Sequence, residues 1–207
     1  MLLLTVICCG NELVLQLADY RLIGSTRLRG LVYDYGAFWP GLLSDWTPNY
    51  TAQPTLMFLT YGLLHGGLAH LAVNMITLWS LGGPVVERVG ARGFGLVYAG
   101  AQAGGGAVFA LLAQPFPPMV GASGALFGLA GALLAWNYVD RFTRREGLWP
   151  VANATFWLVM LNLVLWWAMG GQLAWETHLG GFIAGWIMAL LVDPRAQGRA
   201  EDAEDTP

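Results

Sequence analysis

Apolar runs long enough to cross a hydrocarbon layer recur along this chain, and they constrain its fold more than any other feature. About twenty such residues span a bilayer as a helix, and six stretches qualify: about 1–19, 67–86, 94–113, 122–139, 151–169 and 176–192. Only 11% of the 207 residues are charged against 56% hydrophobic, with a mean hydropathy of +0.53. Soluble domains carry roughly 25% charged residues, so this chain lacks the means to cover a water-facing surface. The strict polar–apolar alternation of a membrane barrel is absent. The expected fold is all-α: a polytopic six-transmembrane-helix bundle, one domain over about 1–194, with a disordered cytoplasmic tail over 195–207.

Residues 20–66 are too polar to span and too rich in Trp, Tyr, Phe and Leu for a solvated loop. Trp39 and Trp46 suit the headgroup level, so this stretch reads as a long interfacial loop between helices one and two. Glu12 lies inside the first span and is expected to face the bundle or an interface rather than lipid. No basic region or cleavage site marks a signal peptide, and the short N-terminus predicts no added cytoplasmic domain. Pro115, Pro117 and Pro118 break the chain between spans three and four.

All ten basic residues are arginine. Arg88, Arg92, Arg141, Arg144, Arg145, Arg195 and Arg199 lie on one side of the predicted bundle, and Arg21, Arg27 and Arg29 on the other. That asymmetry sets both termini in the cytoplasm and faces loops 20–66, 114–121 and 170–176 outward. The net charge of −3 owes part to the Glu201–Asp205 stretch and gives no sign of a nucleic-acid partner. The partner is instead the bilayer itself. Cys8 and Cys9 are vicinal and the only cysteines, which predicts no structural disulfide. His65, His70 and His178 have no cysteine partners at ligand spacing, and no HExxH is present; neither metal nor cofactor is expected.

Within this frame one serine stands out. Ser123 lies in Val120-Gly121-Ala122-Ser123-Gly124-Ala125-Leu126-Phe127-Gly128, at the outer start of span four. A serine in an apolar helix ordinarily bonds back to its own helix, but three scarce histidines share its setting. His178 lies at the outer start of span six. His70 and Asn74, one turn apart near the outer end of span two, share a face. Any one of these polar residues alone suits interhelical hydrogen bonding; four at one depth point to chemistry. Small residues four apart, Gly124, Gly128 and Gly131 against Gly181 and Gly185 (with Gly180 and Ala184 beside them), permit close backbone approach. Such packing brings Ser123 within reach of His178, and an adjacent base is what makes a serine a nucleophile. No carboxylate lies at a matching position, since Glu176 points elsewhere, so a dyad is expected rather than a triad. Oxyanion donors are available in His70, Asn74 and the Ser123 backbone N–H. Phe127, one turn below Ser123, is placed to pack on the imidazole, and His65 to tie down the long loop.

Three segments together resemble the rhomboid intramembrane serine proteases: His65-Gly66-Gly67-Leu68-Ala69-His70-Leu71-Ala72-Val73-Asn74, Gly121-Ala122-Ser123-Gly124, and His178-Leu179-Gly180-Gly181-Phe182-Ile183-Ala184-Gly185. Gly82-Gly83-Pro84-Val85-Val86-Glu87-Arg88 adds to the likeness, which covers roughly residues 54–193. The resemblance implies Ser123 as nucleophile, His178 as general base, and His70 and Asn74 as oxyanion stabilisers. It implies cleavage of transmembrane protein substrates near the outer membrane surface, often after a small residue, with span five and the loop around 170–176 as a substrate gate. The location it implies is a bacterial inner membrane. Leu56-Met57 stand where many members have a Trp-Arg pair, and Phe127 where many have tyrosine. A catalytically inactive relative that binds membrane clients is the alternative, although such a protein is expected to lose the serine or histidine. A small transporter is disfavoured by the absence of broken helices or paired repeats.

Overall fold

A computed structural model describes residues 1–193; the tail expected to be disordered lies outside the described residues. Seven α-helices follow in order: α1 Leu2–Asp19, α2 Leu28–Gly36, α3 Gln53–Thr60, α4 Leu68–Leu112, α5 Ser123–Thr143, α6 Trp149–Ala168 and α7 Trp175–Val192. No strand occurs among the described residues, only an isolated antiparallel bridge between Phe38 and Met119. Four helices (α1, α4, α6 and α7) are long and apolar enough to cross a membrane.

The segments expected at 67–86 and 94–113 follow one another in α4, which spans 45 residues and is broken at Gly90, where φ is 71° and ψ 177°. A side chain disfavours that backbone region and glycine does not. The break is a reversal. Phe94 packs on Gly82, although twelve residues of straight helix would hold them about 18 Å apart.

The long loop proves more regular than its composition suggested. It contains α2, α3 and two 3-10 turns at Pro40–Leu43 and Tyr61–Leu63. Its own apolar core joins Phe38, Met57 and Tyr61 to Phe109 and Met119, so Met57 anchors the loop by packing. The polar anchor is Arg29. It donates to Glu12 from Nη1 (3.1 Å) and Nη2 (2.9 Å), to Asp19 from Nε (2.7 Å), and to the His65 carbonyl from Nη1 (3.1 Å). Glu12 is fully buried and satisfied by this pair and by Gln16 Nε2 (2.8 Å), which is how a carboxylate persists within an apolar helix.

The centre of the bundle is α4, α5 and α7, which pack most extensively on one another. Its core carries small side chains such as Ala101, Ala122, Ala125, Ala132, Ala135 and Ala189, while large ones such as Val73, Ile76, Trp157, Val164, Trp167 and Leu191 face outward. The small residues allow the close backbone approach on which helix association in lipid depends. Gly181 and Gly185 of α7 meet the carbonyls of Gly124 and Gly128 of α5 directly. Gly180 and Ala184 turn away from α5 and pack on Gly104 of α4 instead. Helix α7 therefore has two small-residue faces, one for each neighbour.

Candidate active site

Helices α4, α5 and α7 begin at the same end of the bundle, and their first turns carry His70, Ser123 and His178. The chain reaches Ser123 through a segment held on both sides by the loop. Phe38 and Met119 exchange backbone hydrogen bonds (2.9 and 3.0 Å), and the Gly121 N–H donates to the Tyr61 carbonyl (2.9 Å). Gly121 has φ +124°, and its α-hydrogen faces the His70 ring and Asn74 Nδ2, a site closed to any side chain. Ser123 is the first residue of α5, so its N–H has no partner within the helix.

Ser123 Oγ lies 2.9 Å from His178 Nε2. Phe127, one turn on, stacks on the imidazole with ring centroids 4.1 Å apart and planes 5° from parallel. His178 is buried, and Ser123 and Phe127 are half-buried. The glycine contacts of Gly124 with Gly181 and Gly128 with Gly185 hold the two helices at the separation this geometry requires.

The other two polar residues reach the same place from α4. His70 Nδ1 accepts the Gly66 N–H at 3.3 Å, so its proton lies on Nε2, the nitrogen directed toward Gly121. Asn74 Nδ2 is buried and finds no acceptor among the described residues. His70 Nε2–H and Asn74 Nδ2–H thus flank the residue two positions before Ser123, and the Asn74 donor is buried with no acceptor among the described residues. An unpaired buried donor is costly, and a transient anion at this spot would satisfy it.

His65 lies where the long loop meets α4. It joins the long loop to the bundle through its backbone, whose carbonyl accepts from Tyr33 Oη (2.7 Å) and Arg29 Nη1 (3.1 Å). The ring is fully buried against His70, and neither nitrogen finds a partner among the described residues. Burial first, and the neighbouring His70 second, push its pKa down to about 4.

One residue of the site escaped sequence reasoning. Asn162 of α6 places Oδ1 2.6 Å from His178 Nδ1. A search for carboxylates passes over it, since asparagine is neutral. The available signal was its isolation: Asn162 is the sole polar side chain between Phe156 and Ala168. Among the described residues no group of three or more metal-ligating side chains gathers in the molecule.

Residues 53–195 match the Rhomboid domain. The chain is 36% identical over 131 residues to Rhomboid protease GluP of Bacillus subtilis, covering 63% of this chain and 25% of that protein. It is 33% identical over 135 residues to RHOMBOID-like protein 5 of Arabidopsis thaliana (65% and 43%). Rhomboid protein 1, mitochondrial, of Saccharomyces cerevisiae is 32% identical over 157 residues (67% and 43%). The chain thus spans between a quarter and just under half of the length of these relatives.

Proposed function

This chain belongs to the rhomboid family, and from that premise we propose that it is an intramembrane serine endopeptidase that hydrolyses peptide bonds in or near transmembrane segments of other proteins. Its long apolar helices and its family make it an integral membrane protein. The proposal extends to six crossings with α4 counted as two, both termini in the cytoplasm of a bacterium, and a site just below the outer surface of the inner membrane.

The observation that carries the reading is the 2.9 Å hydrogen bond between Ser123 Oγ and His178 Nε2. In the proposed reaction Nε2 takes the hydroxyl proton as Oγ attacks the scissile carbonyl carbon. The carbonyl oxygen becomes an oxyanion, received by His70 Nε2–H, Asn74 Nδ2–H and the Ser123 backbone N–H. The intermediate collapses, the C–N bond breaks, and the imidazolium returns its proton to the leaving amine. Water then enters and the same base deprotonates it for attack on the acyl-serine, which releases the acid and restores Ser123. Phe127 holds the imidazole plane throughout. The polar groups lie at one end of the bundle, which suits water entry. Val151 is the one buried residue of helix α6, which supports that helix's role, with the loop around 170–176, as the gate for substrate.

The test uses purified protein in detergent with a transmembrane model substrate, comparing wild type with Ser123→Ala and His178→Ala. Cleavage by wild type and its loss in both variants is the expected result. Equal cleavage in all three would mean a contaminating protease and sink the assignment. A fluorophosphonate that labels wild type but not Ser123→Ala reports the activated serine without depending on the choice of substrate; no labelling of wild type would favour a client-binding protein.

A further inference from the structure

Asn162 lies on the helix that is least attached to the bundle. Within the apolar window of α6 only 6% of residues are buried, against 33% in α7 and 39% in α4. The residues of α6 least open to the outside include Val151, Thr155, Leu158 and Asn162, whose spacing of four, three and four forms one stripe along the helix. Asn162 is the polar end of that stripe, and it meets the edge of His178 opposite to Ser123.

The chemistry of the contact is directional. Asn162 Oδ1 carries lone pairs and no hydrogen, so at 2.6 Å the shared proton belongs to His178 Nδ1. A neutral imidazole with its proton on Nδ1 has its lone pair on Nε2, the atom facing Ser123 Oγ. The reverse tautomer would aim an N–H at the nucleophile and leave no base. The stacked Phe127 ring fixes the plane of the imidazole but leaves both tautomers open, because it touches a face and no nitrogen.

We propose that Asn162 is a positioning residue: its amide oxygen holds His178 in the Nδ1–H tautomer and so completes a Ser123–His178–Asn162 unit in which the third member is supplied by the loosely packed α6. The inference rests on the serine-protease reading. It makes α6 a contributor to the catalytic geometry, with the base fixed only while that helix is seated on α7. The competing role is an ordinary interhelical hydrogen bond, with no bearing on the histidine's chemistry.

The two roles separate in a comparison of wild type, Asn162→Ala, Asn162→Leu and Asn162→Asp, all as the full chain in detergent. Leucine keeps the branched shape and strengthens the apolar character of α6, so a packing role predicts wild-type turnover. A positioning role predicts that Ala and Leu each lose about tenfold in kcat, the scale of one hydrogen bond, with KM unchanged, while Asp retains activity through its remaining carbonyl-type acceptor. Fluorophosphonate labelling of Ser123 slows in step with kcat. The chain has three histidines, so 15N-histidine NMR resolves three rings, with His178 assigned by His178→Ala. Wild type gives the Nδ1–H tautomer at His178, and Asn162→Leu a mixture. Wild-type kcat in Asn162→Leu, or an unchanged tautomer, overturns the inference while the protease reading stands. Wild type that neither cleaves nor labels overturns that reading, and the inference with it.

Discussion

Asn74 and His70 present their donors to the same small volume beside Gly121, and Asn74 Nδ2 has no acceptor there among the described residues. A group aimed at charge that exists only in the transition state affects turnover more than affinity. Asn74→Ala is therefore expected to lower kcat by about 10²–10³ with little change in KM, read in the transmembrane-substrate assay. Gly121→Ala meets both the φ of +124° and the His70 ring, and activity is expected to fall to background. His65 gives a pH dependence of stability. Its folded pKa of about 4 lies below the ordinary histidine value, so the unfolded chain binds the proton more readily. Its neutral form supports the fold fully above about pH 6.5, and that support is lost as pH falls from there toward 4. Thermal unfolding in detergent between pH 7.5 and 4.5 is expected to show a falling midpoint, with a shallower slope in His65→Phe.

The decisive element-scale feature is the α5–α7 seam. Gly124 with Gly181 and Gly128 with Gly185 bring backbone onto backbone, and a Cβ at either α7 position falls on an α5 carbonyl. Backbone has no rotamer by which to yield, so the helices must separate. Gly185→Val is expected to lengthen the Ser123–His178 hydrogen bond beyond use and reduce cleavage by about a hundredfold or more. Gly180→Ala strains a different seam, against Gly104 and Val108 of α4. It is expected to weaken thermal stability more than it weakens labelling of Ser123. Equal effects of the two substitutions on labelling would argue against separate faces.

Across the whole molecule, two arginines tie distant segments at opposite ends. Arg29 joins α1, α2 and the carbonyl of His65 near the site. Arg88 joins α4 to Asp140 of α5 (2.8 Å) and Asp193 after α7 (3.0 Å), and lies 5.0 Å from the centre of the Trp136 ring. Seventeen residues of α5 separate Ser123 from Asp140, about 26 Å of helix. Arg29→Ala leaves the buried Glu12 without its guanidinium and is expected to cost about 3 kcal/mol, with loss of the loop's hold on the segment leading to Ser123. Glu12→Gln with wild-type Arg29 is expected to be milder. Chemical unfolding in mixed micelles measures both, and equal costs would remove the buried charge as the cause.

The helical class, the apolar spans and the choice of Ser123, His178, His70 and Asn74 as candidates were legible in sequence. Apolar run length and the scarcity of polar residues inside such runs are properties of the chain itself. The glycine spacing likewise announced close helix contact. Partner choice was not legible: Gly180 and Gly181 are neighbours in sequence, yet face different helices because successive helical residues point about 100° apart. The regular structure within 20–66 was hidden because its helices are short and take their stability from a core shared with Phe109 and Met119. Asn162 was hidden because its meaning depends on a contact sixteen residues away along the chain and on a different helix. Sequence by itself determined which residues had chemistry to offer and that they lay in apolar helices. Only the tertiary structure decided which nitrogen faces which oxygen, because hydrogen bonds are set by sub-ångström geometry that packing alone creates.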